Sequence, residues 1–254
     1  MNKNNQRVHM VQRQVREYAS NIEMSIAVAE FICEYANNCV GKQGSFTIAL
    51  SGGTTPARTY SLLAQEPYIT IMPWEKTHVF FGDERFVPPD HPDNNFRMAN
   101  EHLLTKVPIP RHNIFPIDTQ VESVQESAKR YDNLLKEFFV STDSKPMTFD
   151  LILLGVGTDG HTASLFPSTP ALKEKERWVV NTCAPEYAAS RQRITLTFPA
   201  INLSRCAVFL CGGKGKKNII GTIINDEFDA KLHYPAACVD TLDEIIWFVD
   251  TEGF

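Results

Sequence analysis

The sequence predicts an α/β fold: a three-layer, Rossmann-like architecture whose mainly parallel sheet carries helices on both faces. Three observations predict it. Apolar runs of four or five residues recur at Phe46–Leu50, His78–Phe81, 150–154, Ala207–Cys211 and Ile245–Val249, continuous rather than alternating, as in strands buried on both faces. Between them lie stretches with apolar residues at helical spacing. Strand and helix patterns alternate along the chain, the order that βαβ crossovers produce.

Each element follows in turn. Residues 1–15 are polar and pattern-free, which predicts a tail or a frayed first element. Over 20–39 a helical stripe runs through Ile22, Ile26, Ala29, Ile32 or Cys33, and Ala36. After the strand Phe46–Leu50, a helix is predicted from about Pro56 to Ala64, with Pro56 in the first turn and Thr54 or Thr55 as cap. Asn94 and Asn95 are caps for a helix carrying Phe96, Ala99, Leu103 and Leu104. Another helix spans 121–139 on Ala128, Tyr131, Leu135 and Phe138. Strands at 150–154, Trp178–Asn181, Arg193–Phe198, Ala207–Cys211 and Ile245–Val249 follow, and a helix after Lys214 bears Ile219, Ile220, Ile223 and Ile224. No repeat or linker divides the chain, so residues 1–254 are expected to form one domain with a small excursion around 165–195.

Bulk properties narrow the function classes. The 254 residues, 43% hydrophobic and 22% charged, suffice for a sizeable core. A net charge of -5 argues against a general nucleic-acid binder. No run approaches membrane-spanning length and the first twenty residues lack a secretory apolar core, so a cytoplasmic protein without membrane contact is expected. The six cysteines form no CxxC pair, and neither Cys nor His shows metal-ligand spacing, so no metal is assigned. Four of the six cysteines sit in apolar patterns as small hydrophobes. There is no GxSxG nucleophile motif. Nothing in the pattern fixes an oligomeric state.

Four segments carry chemistry. In Phe149–Pro167 the apolar run Leu151–Leu154 breaks into Gly155, Gly157, Asp159, Gly160 and His161. A buried strand thus delivers a carboxylate and an imidazole to a sheet edge, where α/β proteins place ligands. A bland turn is the alternative, and the third glycine is misplaced for a dinucleotide fingerprint. Ser51-Gly52-Gly53-Thr54-Thr55-Pro56 stands between a strand and a helix, where orphan N–H groups, the helix dipole and three hydroxyls favour an anion. It lacks the spacing and lysine of a Walker A loop. Asp83 and Arg85, at i and i+2 after an apolar strand, project to one face and suit a substrate hydroxyl, a water or an oxyanion, a surface ion pair being the alternative. Finally Arg193 and Lys216 are basic groups suited to a bound phosphate, while Lys214 and Lys217 fit a solvated turn.

In this order SGGTTP, GDERFVP with DHPDNNFRMA, GVGTDGHTASLFP, RITLTFPAIN and GGKGK closely resemble the 6-phosphogluconolactonase family, over about residue 20 to Asp250. The related glucosamine-6-phosphate deaminases share the first loop and a GxGxDGH segment. They continue into an acidic FNEP-like loop where this chain has Ser164-Leu165-Phe166-Pro167, and they carry Asp-Glu-Tyr where it has Asp83-Glu84-Arg85. Asn94 departs from the family's usual Ser, leaving Asn95 intact. A sensor role would go with an attached DNA-binding module, for which residues 1–20 are too short.

The resemblance implies the NagB/RpiA/CoA-transferase-like fold and hydrolysis of 6-phospho-D-glucono-1,5-lactone, a sugar phosphate, without metal or organic cofactor. On that footing His161 is the general base for water, and Asp159 orients the imidazole or fixes the loop. Arg85 meets the oxyanion or the hydroxyl face, with Asp83 holding the sugar or Arg85. Ser51, Gly52, Gly53, Thr54, Arg193 and Lys216 are the expected phosphate group.

Overall fold

A computed structural model of the chain describes residues 11–141, 148–188, 190–213, 215–225 and 229–252. Its strands are β1 (Gln12–Tyr18), β2 (Phe46–Leu50), β3 (Thr77–Phe81), β4 (Asp83–Arg85), β5 (Leu151–Gly155), β6 (Val179–Cys183), β7 (Gln192–Leu196), β8 (Cys206–Cys211) and β9 (Glu244–Asp250). Its α-helices are α1 (Asn21–Gln43), α2 (Thr54–Leu63), α3 (Tyr68–Ile71), α4 (Asn95–Ala99), α5 (Val124–Ser141), α6 (Phe198–Asn202), α7 (Lys217–Ile224) and α8 (Ala230–His233).

Six strands make one all-parallel sheet in the order β1-β9-β8-β5-β2-β3. From β2 the chain steps outward to β3, then returns to the other side of β2 with β5. The order therefore reverses between β2 and β5, and the crevice beyond their carboxyl ends is where such sheets bind ligands. A buried staple fixes these two strands: Asp150, just before β5, accepts from Thr47 N and Thr47 Oγ1, both at 2.9 Å. Their middle residues are fully buried, as the continuous apolar runs predict.

The excursion expected around 165–195 is a second sheet, which also takes in β4 from earlier in the chain. β6 and β7 pair antiparallel with each other and with β4, forming a separate three-stranded sheet. Gly82 is the junction between the sheets: its N–H donates to Leu50 O at 2.9 Å and its carbonyl accepts from Leu196 N at 2.8 Å. A five-residue apolar run cannot signal which sheet it joins, because pairing is decided by remote partners.

Three further expectations shift. Part of the polar start is strand β1, paired with β9 from Gln12↔Glu244 to Tyr18↔Asp250. As an edge strand it buries little of either face, so it carries no apolar run. Residues 1–10 and Lys214 lie outside the described residues. In α1 the buried stripe is Met24, Val28, Ala29, Ile32, Cys33, Ala36 and Cys39, whereas Ile22 and Ile26 are exposed. α2 is capped by Gly53 without a side-chain bond, so Thr54 and Thr55 lie inside the helix rather than at its cap. Asn94 does cap α4, accepting from Arg97 N at 2.7 Å, and a π-helical turn over Asn100–Leu104 then buries Leu103 and Leu104. Among the described residues no helix is long and apolar enough to cross a membrane.

Candidate active site

Beyond the ends of β2 and β5 lies a cleft of about 260 Å³. Its walls include Ser51, Gly52, Gly53, Thr54, Asp83, Arg85, His161 and Lys216, eight of the ten residues singled out from sequence. Asp159 reaches it through His161. Arg193 does not line it: it stands beside Arg85, its direct partner across the β4–β7 ladder, and is buried.

The first wall follows β2. Tyr60 of α2 turns back to pin Ser51, accepting from its N–H at 3.1 Å and donating to its carbonyl at 2.9 Å. Ser51 Oγ is buried without a partner among the described residues, which suits it to a bound ligand. Gly53 sits at φ 106°, a conformation that side chains resist. Gly52 lies so close to Asn95 that a Cβ would fall 1.8 Å from Asn95 Oδ1. The loop thus turns the N-terminal N–H groups of α2 toward the cleft, and Lys216 enters from the start of α7.

The second wall follows β5. Here the turn closes through Gly160 N to Gly157 O at 3.0 Å and Gly157 N to His161 O at 2.9 Å. His161 Nδ1 meets Asp159 Oδ1 at 2.5 Å, the same oxygen accepts from His161 N at 3.1 Å, and Tyr187 donates to Asp159 Oδ2 at 3.1 Å. Burial pushes the Asp159 carboxyl up, but its bonds and charge attraction to His161 outweigh this and hold it at about 2. An ionised Asp159 selects the His161 tautomer with the proton on Nδ1. Nε2 has no hydrogen-bond partner among the described residues. Phe166 backs the ring with centroids 4.5 Å apart.

The third wall is β4. Arg85 Nη1 donates to Asp93 O at 2.7 Å and to Asn95 Oδ1 at 2.6 Å, while Arg85 Nε is buried without a partner among the described residues. Asp83 is held by Ser164 Oγ at 2.6 Å and by Asn95 Nδ2, which donates to its carbonyl at 2.9 Å. Glu84 faces the interior, fully buried, and accepts from Arg85 N and Asn95 N at 2.7 Å and from Phe96 N at 2.8 Å. Burial pushes its carboxyl up to about 7 against the pull of those three N–H groups. Beside β4, burial and the neighbouring Arg85 lower the Arg193 guanidinium from its usual range.

Sequence inspection gave Asn95 no part in holding Arg85, and it passed over Ser164, Glu84 and Tyr187 as site residues. Asn95 carried a local signal as a cap candidate. Ser164 and Tyr187 act through partners farther along the chain, Ser164 being 81 residues from Asp83 and Tyr187 28 from Asp159.

Chemically the cleft joins an anion cradle, a histidine with one free basic nitrogen, and a cation opposite it. The family of glucosamine-6-phosphate isomerases/6-phosphogluconolactonases matches residues 19–247. A 6-phosphogluconolactonase of Synechocystis sp. is 43% identical over 214 residues, covering 84% of this chain and 85% of that protein. Among solved structures, the 6-phosphogluconolactonase of Thermotoga maritima superposes with a TM-score of 0.79 at 31% identity, covering 94% of this chain and all of that one. That of Trypanosoma brucei gives 0.81 at 30% identity, covering 95% and 97%.

Proposed function

The chain belongs to the glucosamine-6-phosphate isomerase/6-phosphogluconolactonase family, and from that premise we propose that it hydrolyses 6-phospho-D-glucono-1,5-lactone to 6-phosphogluconate, with His161 as general base. The observation that carries the assignment of roles is the 2.5 Å bond between His161 Nδ1 and Asp159, which commits one ring nitrogen and leaves Nε2 for a water. The same cleft holds the anion cradle.

The lactone carbonyl is electrophilic, so water activation and oxyanion stabilisation suffice without a covalent nucleophile. Nε2 takes a proton from water as the oxygen attacks C1. The C1–O5 bond then breaks, and the imidazolium returns the proton to O5, giving a hydroxyl and a carboxylic acid that ionises. Asp159 stabilises the transient imidazolium, and general acid–base assistance of this kind contributes about 10²–10⁴-fold. Arg85 serves the developing oxyanion, and Asp83 holds a sugar hydroxyl. Ser51, Gly52, Gly53, Thr54 and Lys216 hold the phosphate, with Arg193 adding positive charge from beside Arg85. Phosphate binding, remote from C1, positions the reacting carbon. These roles need neither metal nor organic cofactor, and the enzyme is assigned to the cytoplasm.

The test is hydrolysis of freshly generated lactone, corrected for the spontaneous rate, with wild type beside His161→Ala. Acceleration that drops by about 10²-fold or more in kcat is expected. A variant with unaltered kcat removes the mechanism. A wild-type rate equal to background, with turnover of glucosamine 6-phosphate instead, replaces the lactonase assignment.

A further inference from the structure

Tyr187 stands on the connection between β6 and β7, and its side chain has no packing reason for its position. It is 74% exposed, the highest exposure of any large aromatic among the described residues. Its hydroxyl nevertheless reaches Asp159 Oδ2 at 3.1 Å. The two oxygens of Asp159 are thereby divided: Oδ1 takes both bonds from His161, and Oδ2 takes the phenol. Without the phenol only Oδ1 anchors the carboxylate, through its two bonds from His161, and Oδ2 loses its partner.

The same connection has a second attachment. Ser190 donates to Asp93 Oδ2 at 2.7 Å, and Asp93 presents its main-chain carbonyl to Arg85 Nη1 at 2.7 Å. The Ser190 bond leads the interactions that hold the Asp93 carboxyl below its usual range, followed by Arg85 after a smaller opposing effect of burial. At the base of the connection, Ala184 N donates to Arg191 O at 2.8 Å.

We propose that Tyr187 is a positioning residue for the lactonase reaction, and that with Ser190 it makes the β6–β7 connection a strap setting the general base and Arg85 at a fixed separation. This rests on His161 acting as the base. The ring nitrogen bound to Asp159 feels the charge on that carboxylate, and Tyr187 draws part of it away. Removing the phenol hydroxyl makes Asp159 more basic, stabilises the imidazolium and moves the acid limb of activity to higher pH. The other charged groups around the ring are Asp83 and Arg85 on β4 and Lys216 at the start of α7, and the substitution leaves all three in place.

The experiment compares wild type, Tyr187→Phe, Ser190→Ala and His161→Ala in kcat, KM, the pH dependence of kcat/KM and thermal midpoint. Tyr187→Phe is expected to lower kcat about three- to ten-fold with KM within about two-fold, the loss of one partly exposed charged hydrogen bond. Its acid limb shifts upward by a few tenths of a pH unit while the thermal midpoint is unchanged, since the ring buries almost nothing. Ser190→Ala is expected to lower kcat about two- to five-fold with the limb unmoved. Wild-type kcat and pH profile in Tyr187→Phe, beside an inactive His161→Ala, overturn the positioning role alone. A loss of kcat in Tyr187→Phe that tracks a lower thermal midpoint with an unmoved limb also overturns it, and wild-type kinetics in Ser190→Ala overturn the strap. An active His161→Ala overturns the underlying mechanism instead.

Discussion

Gly157→Ala tests the placement of the base without removing any functional group. Gly157 has an ordinary backbone conformation, since it is absent from the positive-φ residues, so the main chain accepts alanine. The side chain does not fit. Its Cβ falls 2.1 Å from both Cε1 and Nδ1 of His161 and 2.8 Å from Asp159 Oδ1, where real contacts essentially never come below 3.0 Å. The ring must therefore retreat by roughly 1 Å, a misplacement on the order of that which costs 10²-fold in rate. Retreat also breaks the 2.5 Å bond to Asp159 that fixes the tautomer. The assay is initial-rate lactone hydrolysis with the spontaneous rate subtracted, alongside a thermal melt. We expect kcat to fall about 10²-fold with KM within about three-fold, because the anion cradle is untouched. The melt should move by no more than about 2–4 °C, the equivalent of ~1 kcal/mol in a chain of this size. Wild-type kcat in a folded Gly157→Ala enzyme would falsify the catalytic use of this imidazole position.

Lys216→Ala should raise KM about 10- to 100-fold with kcat held within a few-fold, the effect of one charged contact to phosphate made equally in ground and transition states. Arg193→Ala, outside the cleft lining and beside Arg85, should raise KM less, by about three- to ten-fold; a larger effect than that of Lys216→Ala would reverse their ranking. Glu84→Gln addresses pH. The folded carboxyl stands at about 7 against an ordinary 4.5. Because the folded pKa is raised, its stabilising contribution is complete below about pH 4.5 and is lost as pH rises through about 7, a span of ~3 kcal/mol. Glutamine removes that slope and sets an N–H against Phe96 N, costing ~1–3 kcal/mol. Urea midpoints at pH 5 and pH 8 should therefore show wild type exceeding the variant more at pH 5; a pH-independent gap means that Glu84 stays ionised throughout.

The legible parts of this structure are those whose signal is local. Phe46–Leu50 and Leu151–Leu154 announce themselves because burial on both faces demands unbroken apolar residues. The loops after them were readable as sites because Ser, Gly, Thr, Asp and His break such runs abruptly. The phase of α1 was not legible: Ile22 and Ile26 fit the stripe as well as Met24 and Val28 do, and only contact with the sheet selects between them. β1 hid because an edge strand in a parallel sheet needs no apolar face of its own. Arg193 illustrates a different limit. Residue type and strand position suggested a phosphate ligand, but its pairing opposite Arg85 is a register fact set by β4, more than a hundred residues earlier.

The division of the site between two sheets has a physical logic. β2 and β5 diverge at the switch point, so the cradle and the histidine loop are held at a spacing fixed by adjacent strands and by the Asp150 staple. Arg85 and Asp83 come instead from the antiparallel sheet, which the main chain joins to the parallel one at Gly82, whose N–H donates to Leu50 O. Side chains reinforce that link. Ser164, three residues past His161, bonds Asp83 at 2.6 Å and takes Thr195 Oγ1 at 3.1 Å through its N–H, stitching the histidine loop to both β4 and β7. Asn95 completes the link by touching Gly52 on one side and holding Arg85 and Asp83 on the other. Two of the six buried polar atoms without partners among the described residues line the cleft, where a ligand would satisfy them: Ser51 Oγ at the cradle and Arg85 Nε at the opposite wall. A substrate with phosphate at one end and a carbonyl that becomes an oxyanion at the other supplies an acceptor for each.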